Sequence, residues 1–184
     1  MFSMNVREPP EMHTDQRFEE LYSAHYPRIL ALCRYLLNST DAAQDAAHEV
    51  FLRAQRSIHT YDPNLPFAGW IAGIASHYCV DILRRRTTES RIFGSGEDEP
   101  VAVGLSPLSS MILSERGSDV RAALAGLPDK YRVPLVMAYY NEWTYDQIAE
   151  TLGLHRNHVA TLIYRGKQQM REILAHHATK GVRE

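Results

Sequence analysis

Apolar residues recur at helical spacing on both sides of a stretch, residues 87–117, that lacks the pattern, and this division constrains the fold more than any other feature. The middle stretch, TTESRIFGSGEDEPVAVGLSPLSSMILSERG, is rich in Gly, Ser and Pro and carries 2 basic against 5 acidic side chains. Such a segment buries too little apolar surface to offset its ordering entropy. It reads as a flexible acidic linker, most clearly from Thr87 to Pro107. The flanks are balanced, with 9 basic and 10 acidic residues in 1–86 and 9 and 7 in 118–184. Neither flank shows the alternation of a strand, and no internal repeat is present. The expected fold class is all-α, with two small helical domains joined by the linker.

In the first flank, residues 1–14 include Pro9-Pro10 and read as a disordered tail, with Met4 or Met12 as an alternative start. Phe18, Leu21, Tyr22, Ile29, Leu30, Cys33 and Leu37 mark a helical stretch expected to restart or kink at Pro27. Asp41 to Ile58 gives a second helix with Ala43, Ala47, Val50, Phe51, Ala54 and Ile58 inward. A third starts behind Pro66, where the missing N–H costs nothing. Its inner stripe is Phe67, Trp70, Ile71, Ile74, Ala75, Tyr78, Ile82 and Leu83. Residues 15–86 are therefore expected to form one helical bundle.

Sharper signals lie in the second flank. Thr144 and Gln147 have the spacing of a capping box, in which each side chain satisfies an orphan N–H of the first turn. Ile148, Ala149 and Leu152 follow on one face, and Gly153 stands where a left-handed residue ends a helix. A longer helix after Leu154 places Val159, Leu162, Ile163, Gly166, Met170, Ile173 and Leu174 inward. Helix, glycine turn, helix is the layout of a helix-turn-helix, expected within 118–178. Advancing 100° per residue from Val159 puts Asn157, Thr161, Tyr164, Arg165 and Gln168 outward, with Arg156, Ala160, Lys167 and Arg171 on the shoulders. Hydrogen-bonding residues thus come early in the helix and cations late, the split needed to read base edges and neutralise phosphates.

Other chemistries find little support. A net charge of -2 argues against coating nucleic acid by bulk charge, though a local basic face fits. Cys33 and Cys79 lie far apart in apolar helical patterns and read as buried free thiols of a reducing compartment. Among 9 histidines, His155 with His158 and His176 with His177 are close, but no carboxylate or cysteine joins them at ligand spacing, so no metal is expected. There is no glycine-rich phosphate loop, nucleophile elbow or paired-acid set, so neither cofactor nor catalysis is expected. No apolar stretch is long enough to span a membrane and the N-terminus has no signal-peptide core, which points to the cytoplasm.

Two blocks carry a resemblance to a known family. One is DAAQDAAHEVFLRAQRS (Asp41–Ser57) followed by YDPNLPFAGWIAGIASHYCVDILRRR (Tyr61–Arg86). The other is LPDKYRVPLVMAYYNEWTYDQIAETLGLHRNHVATLIYRGKQQMREIL (Leu127–Leu174). The first resembles region two of the extracytoplasmic-function sigma factors, initiation subunits of bacterial RNA polymerase, in its E-V-F-L-R-A core, F-x-x-W-I and D-x-L-R-R-R ending. The second resembles region four, from its L-P-x-x-x-R start to its Y-x-x-I-A-x-x-L-G-L turn.

The resemblance implies binding to core RNA polymerase through Asp45, Glu49, Leu52 and Arg53 of the Asp41–Arg56 helix. It implies contact with the −10 promoter element through Tyr61, Asn64, His77 and Arg84, Arg85 and Arg86, holding unpaired bases while the promoter melts. Trp70 reads as core first and as a DNA contact second. Duplex −35 DNA would be read by Arg156, Asn157, Thr161, Tyr164, Arg165 and Lys167. An anti-sigma factor or other regulatory partner is implied as well. Where the family carries D-A-E-D, this chain has Ala42-Ala43-Gln44-Asp45, so two of three carboxylates are missing; a partner or phosphorylation at Ser39 or Thr40 would restore the charge. The rival reading is a stand-alone helix-turn-helix repressor or activator with an N-terminal bundle that dimerises or senses a ligand. A sensor bundle has no need of the loop, Trp70 helix and triple-arginine ending in that order.

Overall fold

The computed structural model describes residues 14–86 and 117–180, with side chains from 18 to 86 and from 119 to 176. The expected tail up to residue 13, and the expected linker apart from Gly117, lie outside the described residues. Among the described residues seven α-helices follow in chain order: α1 (Thr14–Leu37), α2 (Thr40–Arg56), α3 (Phe67–Arg86), α4 (Gly117–Ala125), α5 (Asp129–Tyr139), α6 (Tyr145–Leu152) and α7 (Arg156–Lys180). A single 3-10 turn, Ile58–Thr60, links α2 to the loop before α3. No strand occurs among the described residues.

Helices α1, α2 and α3 pack mutually as a bundle. The inner face of α2 is built from Ala43, Ala46, Ala47 and Ala54 with Val50 and Phe51, all buried. Four alanines let neighbouring helices approach closely, while Phe51 fills the remaining space against Tyr22 at 4.6 Å between ring centroids. Burying such a ring stabilises the bundle by about 1.5–3 kcal/mol. Ser39 caps α2, its hydroxyl accepting from the Ala42 N–H at 3.4 Å.

Of the restart or kink expected at Pro27, the restart does not occur, and α1 is one helix from Thr14 to Leu37 with Pro27 inside it. Proline removes the hydrogen bond to the carbonyl four residues earlier, that of Ser23. Ser23, Ala24 and Pro27 are all exposed, so the freed carbonyl lies on the solvent side of the helix. The helix ends at Asn38, whose φ of 50° is the left-handed conformation of a C-terminal cap and whose N–H donates to the Arg34 carbonyl.

In the second unit α4, α5 and α6 pack on α7. The capping box forms between Thr144 and Gln147, and Gly153 closes α6 at φ 64°. Gly166 lets α7 lie directly on α5, since a Cβ there would stand 2.7 Å from Leu135 Cδ1 and 3.2 Å from Tyr131 Cβ. Every residue from Tyr131 to Tyr139 is buried. A helix apolar on all sides needs neighbours on all sides, and α5 has them because it packs on α7 and also on α1. The two units therefore share one continuous core.

Arg132 is the centre of that junction. It is only 3% exposed, and its guanidinium donates to the main-chain carbonyls of Tyr35 (3.0 Å), Leu36 (3.3 Å) and Leu127 (2.8 Å) and to the Asp129 carboxylate. The last carbonyls of a helix have no intrahelical partner and carry partial negative charge, so a buried cation is satisfied there. Tyr140 adds a hydroxyl bond to the Arg28 carbonyl at 3.1 Å and a ring contact to Tyr35 at 5.4 Å. Burial pushes the Tyr140 phenol up to about 12, the nearby Arg28 charge opposing it. Asn38 Nδ2 donates to the Ala125 carbonyl, closing the end of α4.

Candidate nucleic-acid interface

The loop from Tyr61 to Pro66 is held by its own side chains. Tyr61 donates its hydroxyl to the Leu65 carbonyl at 2.7 Å, and Asp62 accepts from both the Asn64 N–H and Asn64 Nδ2 at 2.9 Å. Tyr61, Phe67 and Trp70 form an aromatic trio with centroids 5.3–5.5 Å apart. Trp70 is half-buried in this trio, consistent with a packing role first. Asn64 is exposed, and Leu65 projects at 61% exposure beside it. Phe67 also carries the ring of His25 at 5.2 Å, whose pKa is lowered by burial and, less, by the Arg28 charge. The loop thus offers π faces and amide groups in a fixed shape, the equipment for holding an unstacked base.

Farther along α3 the candidates divide. Arg85 and Arg86 are exposed at its C-terminal end. His77 is exposed at its edge but engaged, with Nδ1 2.9 Å from the Gly73 carbonyl, Nε2 3.4 Å from the Thr151 hydroxyl and its ring 6.2 Å from Trp143. Arg84 lies 3.8 Å from the Asp81 carboxylate and 3.4 Å from the Thr151 carbonyl. Two of the six residues expected at the −10 element are therefore in contact with α6 or the turn before it.

On α7 the exposed face carries Arg156, Asn157, Arg165, Gln168 and Arg171. Tyr164 is half-buried and accepts from Gln168 Nε2 at 2.9 Å, and Lys167 stacks its ammonium 5.7 Å from the Tyr139 ring. Thr161 overturns its expectation. It is 2% exposed, with its hydroxyl donating to the Asn157 carbonyl at 3.1 Å. The buried arc of α7 runs from Thr161 through Leu162 and Gly166 to Ile163, so its centre sits about 60° from Val159, toward Thr161. Periodicity counted from Val159 placed Thr161 opposite the core; packing against both α5 and α6 brings it inside. Thr161 cannot read a base from there.

Asp146 was not anticipated. From α6 its carboxylate reaches Arg156 Nε at 3.4 Å, and the same guanidinium lies 5.9 Å from the Tyr145 ring centre. Arginine reads guanine through its two terminal nitrogens, and the contact to Asp146 is made by Nε instead. The only sequence sign was acidic character one residue into the capping box, which first-turn electrostatics already explains.

The expected polymerase-binding residues share one face of α2. Counting 100° per residue, Asp45, Glu49, Leu52 and Arg53 fall within about 100° of arc. Glu49 and Arg53 pair at 2.8 Å, and Arg53 lies over the Tyr78 ring at 4.2 Å. Leu52, 47% exposed, borders a groove lined by Phe18, Tyr22, His48, Phe51 and Gln55 that periodicity did not reveal. Ser39, as the cap of α2, has its hydroxyl engaged, whereas Thr40 is exposed.

Cys33 and Cys79 are buried and free, and the Cys79 thiol is pushed well above its usual range by its hydrogen bond with Cys33 and by burial. No group of three metal-ligating side chains occurs among the described residues, and none of their helices is long and apolar enough to cross a membrane.

A three-helix bundle with a rigid aromatic loop, packed beside a helix-turn-helix that presents arginines and amides, defines a helical class of DNA-reading proteins. The comparisons narrow the class. The family described as Sigma-70 region 2 matches residues 21–89, and Sigma-70, region 4 matches residues 118–170. The chain belongs to the sigma-70 family. It is 32% identical to the ECF RNA polymerase sigma factor SigE of Mycolicibacterium smegmatis over 89% of its own length and 63% of that protein's, so it spans under two thirds of SigE. It is 28% identical to the ECF RNA polymerase sigma factor SigW of Bacillus subtilis, over 85% of this chain and 88% of that one. A co-crystal structure of the sigma factor RpoE with the anti-sigma factor NepR from Bartonella quintana shares the fold, with a TM-score of 0.59 and 18% identity over 87% of this chain and 98% of that chain.

Proposed function

We propose that this chain is a sigma subunit that binds core RNA polymerase, directs it to promoters through −10 and −35 elements, and promotes strand separation without catalysing a reaction itself. The observation that carries the reading is the pairing, in one chain and in family order, of a region-two match containing the aromatic loop with a region-four match containing the helix-turn-helix. Residues 15–86 form the region-two unit and 118–178 the region-four unit. The α2 face of Asp45, Glu49, Leu52 and Arg53 meets polymerase. Tyr61, Asn64, His77, Arg84, Arg85 and Arg86 hold the −10 strand, and Arg156, Asn157, Tyr164, Arg165 and Lys167 serve the −35 duplex. Lys167 acts from the flank as a phosphate contact. The protein works in the cytoplasm beside polymerase and answers to a regulatory partner such as an anti-sigma factor.

Run-off transcription with purified bacterial core polymerase and a pool of genomic promoter fragments tests this reading. Start sites that arise only when the chain is added are expected. No new starts, together with duplex binding by the chain alone, would instead identify a stand-alone regulator.

A further inference from the structure

Arg53 sits on the α2 face assigned to polymerase, yet it is held from α3 as well. Its Nε donates to Glu49 Oε1 at 2.8 Å, one turn earlier, and its guanidinium carbon lies 4.2 Å from the centre of the Tyr78 ring. The two anchors differ in kind. Glu49 and Arg53 are partners at i and i+4, with side chains 30% and 45% exposed. Such a pair on a helix surface is weak, because two long side chains must give up rotamer freedom to meet. Tyr78 is half-buried and packs against the core, so its place is set by the bundle and not by α2. Its hydroxyl makes no hydrogen bond among the described residues, and what it offers is the ring. A cation over an aromatic face is attracted by the ring's quadrupole and is confined to that face. Tyr78 therefore restrains the guanidinium, and the guanidinium restrains one oxygen of Glu49. The other, Oε2, has no hydrogen-bond partner among the described residues.

The sequence gives this restraint weight. With Ala42-Ala43-Gln44 in place of a fuller acidic run, Asp45 and Glu49 are the carboxylates on the assigned face, and the geometry of each counts for more. A side chain already ordered in its bound position loses less entropy on association. We propose that Tyr78 is a positioning residue for polymerase binding: its ring holds Arg53, and Arg53 holds the Glu49 carboxylate where Oε2 meets a hydrogen-bond donor of core polymerase. Tyr78 acts through Arg53 and needs no contact with polymerase itself. This inference rests on the function proposed above, and within it on the α2 face.

Double-mutant cycles on the full chain test it, with affinity for purified bacterial core polymerase as the measured quantity. Tyr78→Leu removes the ring, Tyr78→Phe keeps it, and Arg53→Met removes the cation. Tyr78→Leu is expected to weaken binding by about two- to fivefold, the equivalent of an exposed cation–π contact, and Tyr78→Phe to bind as the wild type does. In the Arg53→Met background, Tyr78→Leu is expected to cause no further loss. A loss of equal size in both backgrounds overturns the proposal, since Tyr78 would then act through the bundle as a whole. A Tyr78→Leu chain that folds and binds like the wild type overturns it too. A second cycle, Arg53→Met against Glu49→Gln, leaves α3 untouched and serves if Tyr78→Leu does not fold. Coupled losses are expected there, and additive ones break the link between Arg53 and Glu49 and the proposal with it. If Glu49→Gln and Arg53→Met both leave affinity unchanged, the α2 face itself is removed from the polymerase interface.

Discussion

Arg132 Nε donates to the main-chain carbonyl of Tyr35 at 3.0 Å across 97 residues of sequence, and through this contact a region-four side chain closes the end of a region-two helix. Its other nitrogens serve Leu36, Leu127 and Asp129. Replacing Arg132 with Met keeps most of the volume and leaves these acceptors without donors. The expected cost is about 2–4 kcal/mol in urea unfolding. A loss below about 0.5 kcal/mol, the range of ordinary surface changes, would mean that the junction does not contribute to stability.

Gly166 gives a second stability prediction, of opposite sign to helix propensity. Alanine at an exposed helical site stabilises by up to about 1 kcal/mol over glycine. Here the added Cβ would stand 2.7 Å from Leu135 Cδ1 and 3.2 Å from Tyr131 Cβ, so these side chains or α7 must shift. Gly166→Ala is expected to lower stability by about 1–2 kcal/mol, read as a lower melting temperature; a rise would show that Leu135 moves aside freely.

Asp146 and Arg156 make a prediction about reading rather than stability. Asp146→Asn removes the charge that holds Nε while leaving the guanidinium in place. Discrimination at the −35 base pair assigned to Arg156 in the proposed function should fall by about 1–2 kcal/mol. Affinity for unrelated duplex should hold or rise, because a negative charge near the phosphates is gone. Competition binding with single-base variants of the −35 duplex measures both. Thr161→Ala, in contrast, should leave base preference unchanged, since the side chain is buried.

His25 sets a pH dependence. Burial against Phe67 holds its pKa below the usual histidine value, so the unfolded chain takes up a proton first as pH falls. Its contribution to stability is complete above about pH 6.5 and declines below that value. Urea midpoints at pH 7.5 and 5.5 should differ more in the wild type than in His25→Gln, and equal differences would contradict this environment.

The parts of the fold legible in the sequence are those that short-range chemistry decides. The Thr144–Gln147 capping box and the left-handed Gly153 depend on residues within one turn, and both form as spacing dictates. The α2 stripe of Ala43, Ala47, Val50, Phe51 and Ala54 is likewise a local pattern with a single buried side. Thr161 shows where periodicity stops: α7 is packed by α5 and α6 together, and the centre of its buried arc depends on partners that spacing does not specify. Arg132 lay in plain view within L-P-x-x-x-R, yet its acceptors are main-chain carbonyls, which no residue pattern encodes. The contacts of His77 and Arg84 with Thr151 were hidden for the same reason, since each of these side chains is ordinary on a solvated helix.

The central claim is that the chain gives polymerase the ability to find and open a promoter, and permanganate probing of unpaired thymines tests it most directly. With core polymerase and a promoter mapped by run-off transcription, thymines around −10 should become reactive only when the chain is present, and Tyr61→Ala with Asn64→Ala should reduce that reactivity while −35 protection remains. Protection of duplex DNA by the chain alone, with no reactive thymines when polymerase is added, would contradict the account.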